Sequence, residues 1–502
     1  MEFIYYDLIF LFAFVLFVII FLYRKRKNLE RQGAIYLYKT KLGIKFIDRF
    51  AEKREKALHI IKYFSISMGY LLMAGILFLI GYSTYSYITK FQELISLNLD
   101  KTPPVMLLIP YFPKIFGVQS FFPEFYFTYF IVSILVVAVV HEFSHGIYAR
   151  LYNLKIKSTG FAFLGPIIGA FVEPDEAKMK KVSNTGQRAI LSAGVFANII
   201  TAILAFVILL GLFYLTFVPS GAVFSNYIPG IVNSSKINMI DGINVGNFTR
   251  LQMIDIIDKN NFTTTLQIKV DGETRDLIQV NAKNQTFFIQ ASELKKQLEK
   301  DIGFVLLYED YPAIRAGLKG VIIQIDNKKI KTHEELANTL DDYSVGDEIK
   351  IKTVFNNETQ DYTIKLKDDG TGRSVIGVTS YNIQIYKDAN GKLMISYSAD
   401  SDSKNVLDFL IFFKKPFTYY GTQNEFLVFI YYLVYWVFLI NLMVGFFNML
   451  PFSILDGGRF FYLTVLAITK KEKVSNIIYK TVGMLILLMF LVMIFIWLFR
   501  FF

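Results

Sequence analysis

The chain contains no cysteine. That absence excludes a disulfide framework and any thiolate metal site, so a metal would have to be held by His, Asp or Glu. Histidine is also scarce, with only His59, His141, His145 and His333 in 502 residues. Charge is thin: Asp, Glu, Lys and Arg make up 19% of the chain against 54% hydrophobic residues. The mean hydropathy is +0.41, well above that of a soluble domain. No basic stretch alternates with aromatics in a polar region, so the net charge of +11 is not a nucleic-acid footprint.

What the sequence does have is apolar runs. Six of them, 8–22, 66–88, 125–140, 189–218, 427–450 and 481–499, approach or exceed the length a helix needs to cross the roughly 30 Å hydrocarbon core of a lipid bilayer. They predict a polytopic α-helical membrane protein with about six transmembrane helices, an integral multi-pass protein of the cell membrane. The first run has no basic segment before it and no small-residue cleavage site after it, so it is expected to stay as an anchor. The loop from Arg24 to Lys56 carries twelve Lys or Arg against four Asp or Glu, which places it on the cytoplasmic side. Alternate threading then puts Arg150 to Arg188 and Lys470 to Lys480 inside, and Pro219 to about Asn424 outside. All five Asn-x-Ser/Thr sequons, at Asn233, Asn247, Asn261, Asn284 and Asn357, fall in that outer segment, where glycosylation would reach them.

The outer segment repeats at an offset of about 85 residues. Ile237-x-x-Ile240-Asp241-x-x-x-Val245 recurs as Ile322-x-x-Ile325-Asp326-x-x-x-Ile330. Thr249-x-x-x-Met253-x-x-x-Ile257 recurs as Thr332-x-x-x-Leu336-x-x-x-Leu340, with the i, i+4 spacing of a helix. Leu266 to Val270, the turn Asp271-Gly272 and Asp276 to Val280 align with Ile349 to Phe355, Asn356-Asn357 and Asp361 to Leu366. Each unit reads as strand, helix, hairpin. With Tyr311-Pro312-Ala313-Ile314-Arg315-Ala316-Gly317-Leu318 ahead of the second copy, the order resembles the PDZ domains of membrane proteases. An inserted β-rich α+β region of one or two PDZ-like domains is therefore expected, and the resemblance implies an extended peptide ligand.

His141-Glu142-Phe143-Ser144-His145 directly follows the apolar run Ile131 to Val140. On a helix, residues i and i+4 share a face, so both imidazoles can reach one Zn²⁺ with Glu142 beside them. Ionisable groups inside a membrane helix are costly unless paired or metallated, which marks them as functional. A helix rise of about 1.5 Å per residue from Arg150 puts the pair roughly 8–14 Å inside the cytoplasmic end of the span. A third ligand is needed. Asn448-Met449-Leu450-Pro451-Phe452-Ser453-Ile454-Leu455-Asp456-Gly457-Gly458-Arg459 offers one, because Pro451 breaks the incoming helix and Gly457-Gly458 permit a tight turn that aims Asp456 inward. The competing reading pairs Asp456 with Arg459 in a polar kink.

Together the two motifs resemble the site-two protease family, intramembrane zinc metallopeptidases. The resemblance implies one zinc per chain bound by His141, His145 and Asp456, with Glu142 as the catalytic residue that activates water. It implies membrane-protein substrates, cut in a transmembrane helix within the bilayer near its cytoplasmic side, as in regulated intramembrane proteolysis. Gly194-x-x-x-Asn198 and Gly165 to Glu176 also look like family elements. Asn198, Asn448, Gly165 and Gly169 are candidates to hold the substrate backbone or the developing oxyanion, and Gly160 to Ala170, with Phe161 and Phe163 alternating, is expected to offer a strand edge. The expected domains are 1–124, spans with a basic loop; 125–218, the first part of the catalytic core; 219–300 and 301–370, the PDZ-like copies; 371–425, a connector; and 426–502, the second part of the core. The alternatives are a catalytically inactive PDZ-bearing scaffold and a transporter, though no inverted span repeat supports the latter.

Overall fold

The computed structural model describes residues 3–33, 35–90, 109–111, 123–165, 167–260, 262, 266–270, 273–355, 358–387, 393–399, 418–422 and 424–499. The turns expected at Asp271-Gly272 and Asn356-Asn357, and the sequons at Asn261 and Asn357, lie outside them. The chain divides into two units, Met1–Thr216 with Asn424–Phe502, and Phe217–Gln423.

The first unit is helical. Its helices are α1 (Phe3–Lys25), α2 (Ile44–Lys53), α3 (Glu55–Thr89), α4 (Phe127–Leu151), α5 (Asn184–Thr216), α6 (Glu425–Phe447), α7 (Asp456–Thr469) and α8 (Glu472–Leu498). Among the described residues six of these, all but α2 and α7, are long and apolar enough to cross a membrane. They present large apolar side chains outward, Phe12, Leu71, Leu204 and Met484 among them, as a lipid solvent demands. The interior is instead built from small residues and close approach. Gly69 sits against Phe460 and Ser192, and Ser65 bonds Ser192 at 2.8 Å.

Residues 1–120 carry no named motif in the sequence, yet they supply two structural supports. The basic loop after α1 folds into strands β1 (Leu29–Gln32) and β2 (Ile35–Thr40), which join β3 (Ile156–Leu164) and β4 (Ile167–Pro174) in an antiparallel sheet of order β1-β2-β3-β4. Gly165 makes the β3–β4 turn with φ of +59°, a conformation that glycine adopts without steric cost. This pairing narrows the strand edge expected of Gly160 to Ala170 to its second half, Ile167 to Ala170. Gly160 to Phe163 has neighbours on both sides, because β2 takes the face that the sequence pattern left open, and the outer strand is β4. Helix α2 follows and packs Ile47, fully buried, against Ile156 and Val172. Asp48 closes the contact by pairing with Arg150 at 2.6 Å.

The second unit contains both repeats. Strand Ile237–Ile240 leads to helix Arg250–Lys259, and strand Val321–Ile325 to helix His333–Asp341. Thr249 and Thr332 cap these helices with their hydroxyls, accepting from Gln252 N and Glu335 N, and Asp241 and Asp326 both turn with positive φ, 45° and 47°. The hairpins differ in pairing. Strand Val321–Ile325 lies beside the first hairpin strand, Glu348–Phe355, whereas Ile237–Ile240 lies beside the second, Glu273–Ala282. The backbone N–H of Asp326 donates to Lys350 O and that of Asp241 to Gln279 O, so Gln279, not a residue of Leu266–Val270, is the counterpart of Lys350. The reason is apolar alternation: Ile278, Val280 and Ala282 are all buried and claim the central seat. The sheets also interleave across residue 300, since Phe304–Glu309 pairs with Pro229–Asn233 in the sheet of the first repeat.

Candidate metal centre

Helix α4 carries His141 and His145 on one face, and their rings meet edge to face with centroids 4.6 Å apart. The third partner arrives through a reversal of the chain. Helix α6 stops at Asn448, whose backbone carbonyl accepts from Gly457 N at 2.8 Å, and α7 then starts with Asp456 itself. Gly457 and Gly458 serve this reversal by leaving room. A Cβ on Gly457 would lie 2.4 Å from Met449 O, and one on Gly458 would lie 2.0 Å from Phe452 O.

Asp456 Oδ2 lies 3.1 Å from His141 Nε2 and 3.2 Å from His145 Nε2, and the two Nε2 atoms are 3.0 Å apart. Arg459 bonds Gln187 Oε1 at 2.9 Å, so the carboxylate belongs to the histidines and the kink reading fails. Ligands about 2.0–2.1 Å from a tetrahedral zinc stand roughly 3.3 Å from one another, close to the spacing seen. Among the described residues, these three form the group of His, Asp and Glu side chains arranged to hold a metal ion.

The surroundings fit a metal as well. His145 Nδ1 donates to Ile190 O at 2.7 Å, which leaves the Nε2 lone pair free to face inward. Asn198 is fully buried, with its amide nitrogen 3.1 Å from His141 Nδ1 and its Oδ1 without a partner. A half-turn of the amide gives the orphaned oxygen the His141 Nδ1–H and frees Nε2 in the same way. Gly194 lies one turn before Asn198, and a Cβ there would be 2.6 Å from both His141 Cε1 and His145 Nε2.

Glu142 projects to the side, and its Oε2 accepts from Val172 N of β4 at 3.0 Å. In this structure Asn198 is thus engaged with His141. Asn448 contributes its backbone to the chain reversal, and Gly165 and Gly169 belong to the β3–β4 hairpin outside the cluster. Sequence reasoning missed Val172 and Ile190, which act through backbone atoms that no side-chain pattern reveals. It also missed Asp7 of α1. That carboxylate, 1% exposed, accepts from Phe127 N at 2.7 Å, Thr128 N at 2.8 Å, the Thr128 hydroxyl and the Tyr111 hydroxyl. It caps α4 from outside, where Tyr126 provides no side-chain cap. A lone acid at the edge of an apolar run was the available signal.

Residues 129–491 match Peptidase family M50. The chain belongs to that family. Six helices among the described residues long and apolar enough to cross a membrane make it a membrane protein. It is also 30% identical over 196 residues to an uncharacterized protein of Methanocaldococcus jannaschii, an alignment covering 38% of this chain and 47% of that protein. The chain thus spans about half the length of the curated relative it matches.

Proposed function

We propose that this M50 peptidase is an intramembrane zinc endopeptidase that cuts transmembrane segments of membrane proteins. One observation carries the reading: three donor atoms 3.0–3.2 Å apart, with an acid from the same helical turn held beside them. When bound by His141, His145 and Asp456, one zinc per chain would supply Lewis-acid activation of water and of the scissile carbonyl. Glu142 accepts the proton of the attacking water at its carboxylate and returns it to the leaving nitrogen. Asn198 and Ile190 O orient the two imidazoles.

A helical substrate must unwind, and its opened backbone needs partners in lipid. The reading gives that role to β4. Val172 directs its N–H away from β3 toward Glu142, and by the period of two Ala170 and Ile168 direct theirs the same way. A substrate strand added along this edge meets the base directly. Gly165 and Gly169 then serve by shaping the hairpin, and Asn448 is a candidate substrate contact at the end of α6. The charge pattern supports a site toward the cytoplasmic side and a repeat-bearing segment outside, and the strand-helix-hairpin order of the repeats supports a PDZ-like affinity for extended peptide.

The test compares zinc per chain and cleavage of a helical membrane substrate for the wild type and Glu142→Gln. The variant is expected to keep its zinc and lose roughly 10²–10⁴-fold in rate, the usual worth of a general base. Undiminished cleavage by Glu142→Gln, or a zinc-free wild type that still cuts, would sink the proposal.

A further inference from the structure

Between α1, α4 and the sheet lies an apolar cavity of about 330 Å³. Helix α1 walls it with Phe14, Phe17 and Phe21, and α4 with Ile131, Leu135 and Ala138. These α4 residues and Glu142 stand at i, i+4, i+7 and i+11, one stripe of the helix. The β4 side repeats the alignment. Ile168 and Ala170 line the cavity, and Val172, two residues on, packs in the cluster of Ile47 and Ile156 with Phe143 and Ile147 of α4 beside it while its N–H holds Glu142. Cavity and carboxylate therefore follow one another along the same stripe of α4 and the same strand β4.

A strand added to the outer edge of β4 points alternate side chains to the face shared by Ile168, Ala170 and Val172, each about 4.5–5.5 Å from its cross-strand neighbour. We propose that the cavity is a specificity subsite that takes one large apolar side chain, aromatic or long aliphatic, of the substrate. The residue it accepts lies two to four positions from the bond cut, about 7–13 Å along the strand, on the part of the substrate deeper in the membrane. Phe14, Phe17 and Ala138 determine its size. The inference rests on the protease reading above and adds which substrates the site selects.

The probe is a synthetic Leu/Ala transmembrane peptide with Lys ends and one Phe walked along it, presented to the zinc-loaded full chain in nanodiscs with cut sites mapped by mass spectrometry. The wild type is expected to cut two to four residues from the Phe on one side only. Its kcat/KM should rise at least tenfold over the Phe-free peptide, as filling an apolar pocket does. Ala138→Phe, which fills the cavity, should bring that ratio close to one. Phe17→Ala, which enlarges it, should shift the preference toward Trp, and zinc content reports that each variant is folded. A flat preference in the wild type, or a preference that neither variant moves, overturns the subsite while leaving the protease reading intact. So does an Ala138→Phe protein that loses a co-purified lipid but keeps the Phe preference, since the cavity is then a seat for an acyl chain. If the wild type cuts no peptide better than Glu142→Gln does, the protease reading fails and the subsite with it.

Discussion

Helix α4 is gripped at both ends, and the two grips are written in the chain in different ways. Around His141 and His145 the grip is a pattern: two imidazoles one turn apart, an Asp-Gly-Gly start to α7, and a Gly-x-x-x-Asn in α5. At Phe127 and Thr128 it is one carboxylate, Asp7, reaching across from another helix. A motif can be read because several residues of fixed type must recur at fixed spacing to do one job. A lone capping acid needs nothing around it in sequence, only a neighbour in space.

If the two grips are separate devices, substitutions at one should leave the other unchanged. The largest effect is expected from Gly194→Ala. Its new Cβ would sit 2.6 Å from both imidazoles, a distance that packed atoms do not tolerate, so the rings must move and the donor set opens. Zinc affinity measured by chelator competition should fall by more than the roughly 100-fold that loss of an outer-shell partner costs. Gly211→Ala, on the same helix with nothing within 4 Å of its added Cβ, is the control and should bind zinc as the wild type does. Native affinity in Gly194→Ala would mean that the histidines are not held where the structure puts them.

A smaller effect is expected at Asn198. Asn198→Ala removes the acceptor that fixes His141 and should weaken zinc binding by roughly 10–100-fold. Asn198→Asp keeps an oxygen facing Nδ1–H and should restore most of the loss. Equal affinity in the two variants would show that the amide fills space and does not orient the ring.

How much was legible follows from the same contrast. The six spans could be read because a bilayer requires long uncharged runs, and His141, Glu142, His145 and Asp456 because ionisable groups in such runs need a reason. The repeats were visible through Asp241 and Asp326, Thr249 and Thr332, which recur at turns and caps. Strand pairing was not: Leu266–Val270 and Glu273–Ala282 look alike as alternating strands, and only burial of Ile278, Val280 and Ala282 decides which one lies in the middle. Nor was the partner of β3. A charged loop such as Arg24 to Lys56 signals its side of the membrane strongly, and that signal hides the Ile35–Thr40 strand that takes up the edge of β3.

The smallest effect on the metal, and the sharpest test of independence, is expected from Asp7→Ala. Phe127 N and Thr128 N would lose their acceptor in a buried setting, at about 1–3 kcal/mol, and their amide hydrogens should exchange faster. His141 is 14 residues further along α4, about 21 Å at 1.5 Å per residue, and its ligand geometry depends on α5 and α7. Zinc affinity in Asp7→Ala should therefore match the wild type while the unfolding midpoint in detergent falls. A variant that loses zinc together with stability would show that α4 moves as one rigid lever, with the N-terminal span acting on the metal from its far end.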